Sequence, residues 1–162
     1  TNACNLDGRT TTLTNAMLEY VQAAIDELSV HNDVQIRSFM WMQGESDASG
    51  LSYNQYELLE ENFVKDIRTD LAYYKPVDDE IGFVDAGISD LPAWTQFQII
   101  NQAKMNLASK DDYHDYIDTI GAGLKYNAEP IGAPDVYHYD SKYMVQLGYL
   151  FADVLIGRYI EQ

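Results

Sequence analysis

Val34-Gln35-Ile36-Arg37-Ser38-Phe39-Met40-Trp41-Met42-Gln43-Gly44-Glu45-Ser46-Asp47 is the stretch on which the fold turns. Its first half, Val34 to Met40, reads as a buried strand, and the polar side chains that follow emerge where that strand ends. In open α/β sheets ligands bind outside the carboxyl ends of the strands, so the Gln43-Gly44-Glu45 turn falls where a site is expected. Far downstream, Asp135-Val136-Tyr137-His138-Tyr139-Asp140-Ser141 sets a carboxylate three residues before an imidazole, in a loop ahead of an amphipathic helix. A general base with an orienting partner has that form. Together the two stretches point to hydrolysis.

Outward from the first stretch, helices and strands alternate. Leu13, Met17, Val21, Ala24, Ile25 and Leu28 recur at helical spacing and predict a helix ending near His31-Asn32-Asp33. Downstream, Ser52 with Gln55 three residues on forms a capping-box pattern. It opens a helix whose buried face is Tyr56, Leu59, Phe63, Ile67 and Leu71, and which Pro76 ends. Ile81 to Ala86 is an apolar run of strand length closed by Gly87, Trp94 to Ala108 carries a helical stripe, Asp115 to Ile120 is a third strand, and Ser141 to Ile160 is a final helix. That order implies an α/β class, with right-handed crossovers and a parallel sheet covered on both faces. There is no repeat, low-complexity tract or linker, so residues 1–162 read as a single domain.

The beginning is unusual, because a doubly wound domain opens on a strand. Thr1 to Thr12 is instead polar, with Asn2, Asn5, Asp7, Gly8 and Arg9, and reads as a loop arriving from something upstream. The expectation is the C-terminal part of a larger catalytic domain, lacking one or two N-terminal strands.

Composition excludes some partners. An apolar content of 46% fits one domain with an ordinary core. Twenty-six acidic against ten basic residues give a net charge of −16, which repels polynucleotides and anionic membrane surfaces. Neither nucleic acid nor membrane is an expected partner. Thr1-Asn2-Ala3-Cys4-Asn5 lacks the basic and apolar regions of a signal peptide, so if the parent protein is secreted its signal lies upstream. The single cysteine, Cys4, forms no internal disulfide and reads as a free thiol. No glycine-rich phosphate loop occurs, which argues against a flavodoxin-like nucleotide binder.

The W-x-Q-G-E-x-D block from Trp41 to Asp47 and the D-x-x-H-Y-D-S block from Asp135 to Ser141, followed by Leu147-Gly148, resemble two signature blocks of a known group. They look like the third and last blocks of the SGNH-type sialate O-acetylesterases and acetylxylan esterases, carbohydrate esterase family 6. Asn101-Gln102-Ala103-Lys104 and the Gly87-Ile88-Ser89 turn are similar to stretches of bacterial members. The resemblance runs from about Val34 to the C-terminus. It implies a three-layer α/β/α, flavodoxin-like SGNH fold and the removal of acetyl groups from an O-acetylated sialic acid or O-acetylated xylan. That family carries its nucleophilic serine in a Gly-Gln-Ser-Asn turn near the N-terminus of the domain, and no such turn occurs in these residues. The nucleophile is therefore expected on the N-terminal part of the same catalytic domain. An acyl-enzyme route needs only protein groups, so neither metal nor organic cofactor is expected.

Serine acyl transfer needs a base, a group to hold it, and donors for the oxyanion. His138 is the base candidate. His31 lies at a predicted helix end and His114 in the acidic Asp111–Asp115 loop. Asp135, tethered in the same loop as His138, is one candidate orienting acid. Glu45 is the other, because the resemblance sets its Gly-Glu pair close to the histidine. Gln43 offers an uncharged amide donor, and by resemblance it stands where the wider SGNH group has asparagine. Gly44 lets backbone approach the acyl group. Asp47 is expected to hold that loop through backbone amides. Trp41 reads as a core residue or a substrate platform, and Tyr137 as a wall of a sugar cleft. Among eight serines there is no G-x-S-x-G elbow, and Ser89 and Ser46 are weak nucleophile candidates. The rival reading is a non-catalytic carbohydrate-binding or interaction module built on the same fold.

Overall fold

Every residue of Gly82–Ala86 is buried, and this central strand organises the rest. The computed structural model describes residues 12–50, 53–77 and 79–160, the side chains of 12 and 13 excepted. Among them β1 (Ser38–Trp41), β2 (Gly82–Ala86) and β3 (His114–Ile117) form a parallel sheet in the order β1-β2-β3. Ser38 lies opposite Gly82, and Phe83 opposite His114. Helix α1 (Thr12–Ser29) precedes β1, and α2 (Glu45–Ser49) and α3 (Tyr56–Asp70) join β1 to β2. Helix α4 (Phe97–Lys110) joins β2 to β3, and α5 (Ser141–Leu155) closes the chain through a π-helical turn, Ile156–Ile160.

Alternation along β2 divides the core into two layers. Phe83 packs with Leu59, Phe63, Val64 and Ile67 of α3, and Met17, Leu18 and Val21 of α1 close that cluster. The neighbouring Val84 and Ala86 face the other way, onto Leu147, Phe151 and Val154 of α5. Helices thus cover both faces of a parallel sheet, which is the expected α/β class. On the first face Phe39, Trp41, Phe63 and Phe83 form an aromatic group, with Trp41 and Phe63 centroids 4.6 Å apart. Such pairs contribute about 0.5–1.5 kcal/mol each beyond area burial. Among the described residues no helix is long and apolar enough to cross a membrane.

Several elements differ from the sequence expectation. The first strand begins at Ser38 rather than Val34, because its partner β2 begins at Gly82 and a ladder needs both. Short of it, the Ile36 N–H donates to the Tyr74 carbonyl at 2.8 Å. A five-residue helix, α2, starts directly after Gly44 where a polar loop was expected. The capping serine, Ser52, lies outside the described residues, as do Cys4 and the polar entry up to residue 11. Helix α3 presents the expected face, Tyr56, Leu59, Phe63 and Ile67, but stops at Asp70. A 3-10 turn, Ala72–Tyr74, intervenes, and the proline's steric demand reaches only Lys75, which is extended. In α1, Leu28 is exposed. His114, expected in a loop, is a buried residue of β3.

Candidate active site

Parallel strands deliver their following loops to one edge, and both sequence blocks arrive there. The Met42–Gly44 loop leaves β1, the 87–96 loop leaves β2, and the 118–140 loop leaves β3.

The first loop is fixed by backbone and by burial. Gly44 has φ +133°, a conformation that L side chains rarely adopt, and a β-carbon there would lie 2.5 Å from Ile100 Cγ2. The position accepts glycine alone without strain. The Ala48 N–H donates to the Gly44 carbonyl at 2.8 Å, and the Tyr56 hydroxyl donates to the Gln43 carbonyl at 2.9 Å. Asp47 is buried, and its Oδ2 accepts from Gln43 Nε2 at 2.6 Å. Asp47 thus grips the glutamine side chain, leaving the second N–H of that amide to point elsewhere. Glu45 is half-buried at the start of α2. Trp41 sits in the aromatic group of the core.

The second loop is tied to the start of α5. Asp140 Oδ1 accepts from the Ala128 and Glu129 N–H groups at 2.9 and 3.0 Å, while the Glu129 carboxylate accepts from the Ser141 N–H and hydroxyl at 2.9 and 2.5 Å. An isolated antiparallel bridge joins Tyr126 and Tyr139. Within this frame Asp135 uses both oxygens. Oδ1 accepts the Tyr137 N–H at 2.7 Å and Oδ2 pairs with His138 Nδ1 at 2.7 Å. The hydrogen bond from His138, and then that from the Tyr137 N–H, hold the Asp135 carboxyl below the usual carboxylate range. An ionised Asp135 accepts a hydrogen bond from Nδ1–H, and in that tautomer Nε2 carries the lone pair. The His138 side chain is 76% exposed, so that lone pair is accessible.

Contacts draw the loops together. The Tyr137 ring lies 5.7 Å from Trp94, and the Tyr126 hydroxyl donates to Asp90 at 3.1 Å, which seats the second loop on the loop after β2. Tyr139, beside His138, is pushed up to about 12 by burial, with contributions from the charges of Glu45 and Asp90. Glu45 thus acts electrostatically on the residue next to the imidazole. Among the described hydrogen bonds and ion pairs, the imidazole's partner is Asp135 and none joins it to Glu45. Ser89 is buried, and the turn before it is held by the Asn101 side chain, which bonds both the N–H and the carbonyl of Ile88 at 2.8 and 2.9 Å.

A sequence model of the family described as carbohydrate esterase, sialic acid-specific acetylesterase, matches residues 6–157, a span that includes all three strands and both loops. The chain belongs to that family. No curated protein matched the chain. As a carbohydrate esterase it falls in the class of carboxylic ester hydrolases.

Sequence reasoning passed over one part of this esterase. Beneath the first loop lies a buried polar group: Asp85 of β2, Lys104 of α4, and Tyr56 and Glu60 of α3. Lys104 Nζ lies 2.6 Å from Asp85 Oδ1 and 3.9 Å from Glu60 Oε1, and it donates to the Ala86 carbonyl at 3.0 Å. The available signal was polar residues inside apolar helical stripes, which burial tolerates only when they are partnered.

Proposed function

We propose that this esterase removes acetyl groups from O-acetylated sugars, either sialic acids or xylan, by serine acyl transfer. His138 Nε2 takes the proton of the serine hydroxyl as its oxygen attacks the acetyl carbon. Asp135 holds the imidazole tautomer and balances its charge. The Gln43 amide and the Gly44 N–H donate to the oxyanion. Collapse breaks the ester C–O bond, His138 returns the proton to the departing sugar oxygen, and water repeats the sequence on the acyl-enzyme. Tyr137 and Trp94 offer an aromatic wall to the sugar.

The observation that carries the reading is the 2.7 Å pair between Asp135 Oδ2 and an exposed His138, at the strand edge that also bears the glycine-constrained Gln43–Gly44 loop. In this reading the serine is carried by a strand that adds to the outer edge of β1. In support, β1 ends the described sheet on the side away from β2, and an apolar groove lined by Met40, Trp41, Met42, Gly148, Phe151 and Leu155 lies between it and α5. Met40 is 56% exposed there.

The test uses the full-length protein and 4-nitrophenyl acetate. His138→Ala lowers kcat by roughly 10⁴-fold with little change in KM. A variant keeping a tenth of the wild-type turnover removes His138 from the mechanism. A fluorophosphonate labels an upstream serine in the full-length protein and leaves the 162-residue chain unlabelled. Label on Ser89 or Ser46 would make that serine the nucleophile. A full-length protein with no labelled serine would instead be a carbohydrate-binding module.

A further inference from the structure

Tyr56 presents one proton to two acceptors. Its hydroxyl lies 2.9 Å from the Gln43 carbonyl and 3.0 Å from Glu60 Oε1. A hydroxyl donates once, so the state of Glu60 decides which acceptor is served. The Gln43–Gly44 peptide is planar, and in a trans peptide the carbonyl and the following N–H point in opposite directions. A hydroxyl that grips the Gln43 carbonyl from the buried side therefore turns the Gly44 N–H away from α3. Among the described hydrogen bonds the Gly44 N–H donates to none, and φ +133° with Ile100 against the α-carbon leaves that glycine little room to rotate.

We infer that Tyr56 is a positioning residue that sets the Gly44 N–H by holding the Gln43 carbonyl, and that Glu60 must carry a proton for Tyr56 to do so. This rests on the oxyanion role proposed for Gly44. The groups around Glu60 come from each element packed on it. Tyr56 lies one turn back on α3, Asp85 is on β2 and Lys104 on α4, with Lys104 bound to Asp85 at 2.6 Å. His114 on β3 stands 3.9 Å from Asp85, and Glu45 and Asp47 of α2 act on Lys104 and Tyr56 through their charges. Two carboxyl groups thus share one buried ammonium. Asp85 holds the close contact, while Glu60 Oε2 and Asp85 Oδ2 are both left without a hydrogen-bond donor. A proton on Glu60 supplies one. Burial, and then the Asp85 charge, push Glu60 up to about 8. Burial, and then Glu60, likewise raise Tyr56, which stays protonated. With Glu60 neutral, the Tyr56 proton goes to Gln43. With Glu60 ionised, the carboxylate is the stronger acceptor and draws that proton away.

Two readouts test this, one independent of activity. Gln-Gly occurs once in the sequence, at Gln43–Gly44, so ¹³C-carbonyl glutamine with ¹⁵N-glycine labels a single amide of the chain. Its resonance moves between pH 6 and 9.5 with a midpoint near 8 in the wild type. It stays at the low-pH position in Glu60→Gln and is pH-independent in Tyr56→Phe. In the full-length enzyme, kcat falls above that midpoint. Glu60→Gln abolishes the fall, and Tyr56→Phe lowers kcat roughly tenfold at all pH values with KM unchanged, less than the 10²–10³ expected for losing an oxyanion donor outright. A Gly44 amide that does not titrate, or that titrates equally in Glu60→Gln, overturns the inference whatever the activity. A His138→Ala variant with full activity overturns the esterase site but leaves the amide readout standing.

Discussion

At the scale of single residues, Asp135 decides the quality of the base in the proposed mechanism. One oxygen closes the turn on the Tyr137 N–H and the other meets the imidazole, so the fold of the loop and the tautomer of His138 are fixed by the same carboxylate. A partner three residues away costs less chain entropy to position than Glu45, which sits on a different loop. Asp135→Asn should therefore lower kcat by roughly 10²–10⁴-fold, the larger value being that of a triad with the wrong tautomer. Glu45→Gln should cost less than about tenfold, since a charge acting at a distance is the smaller term. Steady-state kinetics on an acetyl ester compares them, and small, equal losses would show that neither carboxylate orients the histidine. The dyad was legible in the sequence because both members lie within one turn. The grip of Asp47 on Gln43 was not, because side-chain pairing across a helix start has no pattern that distinguishes it from backbone capping.

At the scale of elements, the loop between β1 and α2 combines an unusual φ with a close contact. Gly44→Ala has to adopt φ +133° and also to displace Ile100 Cγ2 from 2.5 Å. Backbone strain of this kind costs about 1–3 kcal/mol, and overpacking a similar amount. The urea midpoint of the variant should fall accordingly, and an unchanged midpoint would mean that the loop relaxes freely. The apolar stripes of α3 and α4 could be read from spacing, because 3.6-residue periodicity survives in any context. The polar members within those stripes, Tyr56, Glu60, Asn101 and Lys104, broke no rule of spacing, and their partners lie on other elements. Strand ends were misread for a related reason: where β1 starts depends on where β2 starts, which no local window contains.

At the scale of the whole molecule, a buried ion pair crosses the layer between the sheet and α4. Burial alone would push the Lys104 ammonium down, but the charges of Asp85 and Glu60 outweigh it and hold it above the usual lysine range. Lys104→Met leaves Asp85 buried and unpaired, and should cost about 3–5 kcal/mol in urea denaturation, much of it recovered by adding Asp85→Asn. A single variant as stable as wild type would show that water reaches Asp85. Glu60 acts on stability with the opposite sign to a salt-bridged acid. Between its ordinary value of 4.5 and about 8 the native state holds a proton that the unfolded chain has lost, so this group's contribution falls as pH rises through that window and is level above it. Wild type should thus lose more stability than Glu60→Gln between pH 5.5 and 8, and equal losses would assign Glu60 an ordinary titration. The site itself is partitioned between two bodies. The Gln43–Gly44 loop proposed for the oxyanion is anchored to the core, while Asp135 and His138 ride together on the 126–140 segment. Any displacement of that segment changes the reach of the imidazole without disturbing its pairing with Asp135. A new sugar can then be accommodated by reshaping one loop, with the proton chemistry carried along intact.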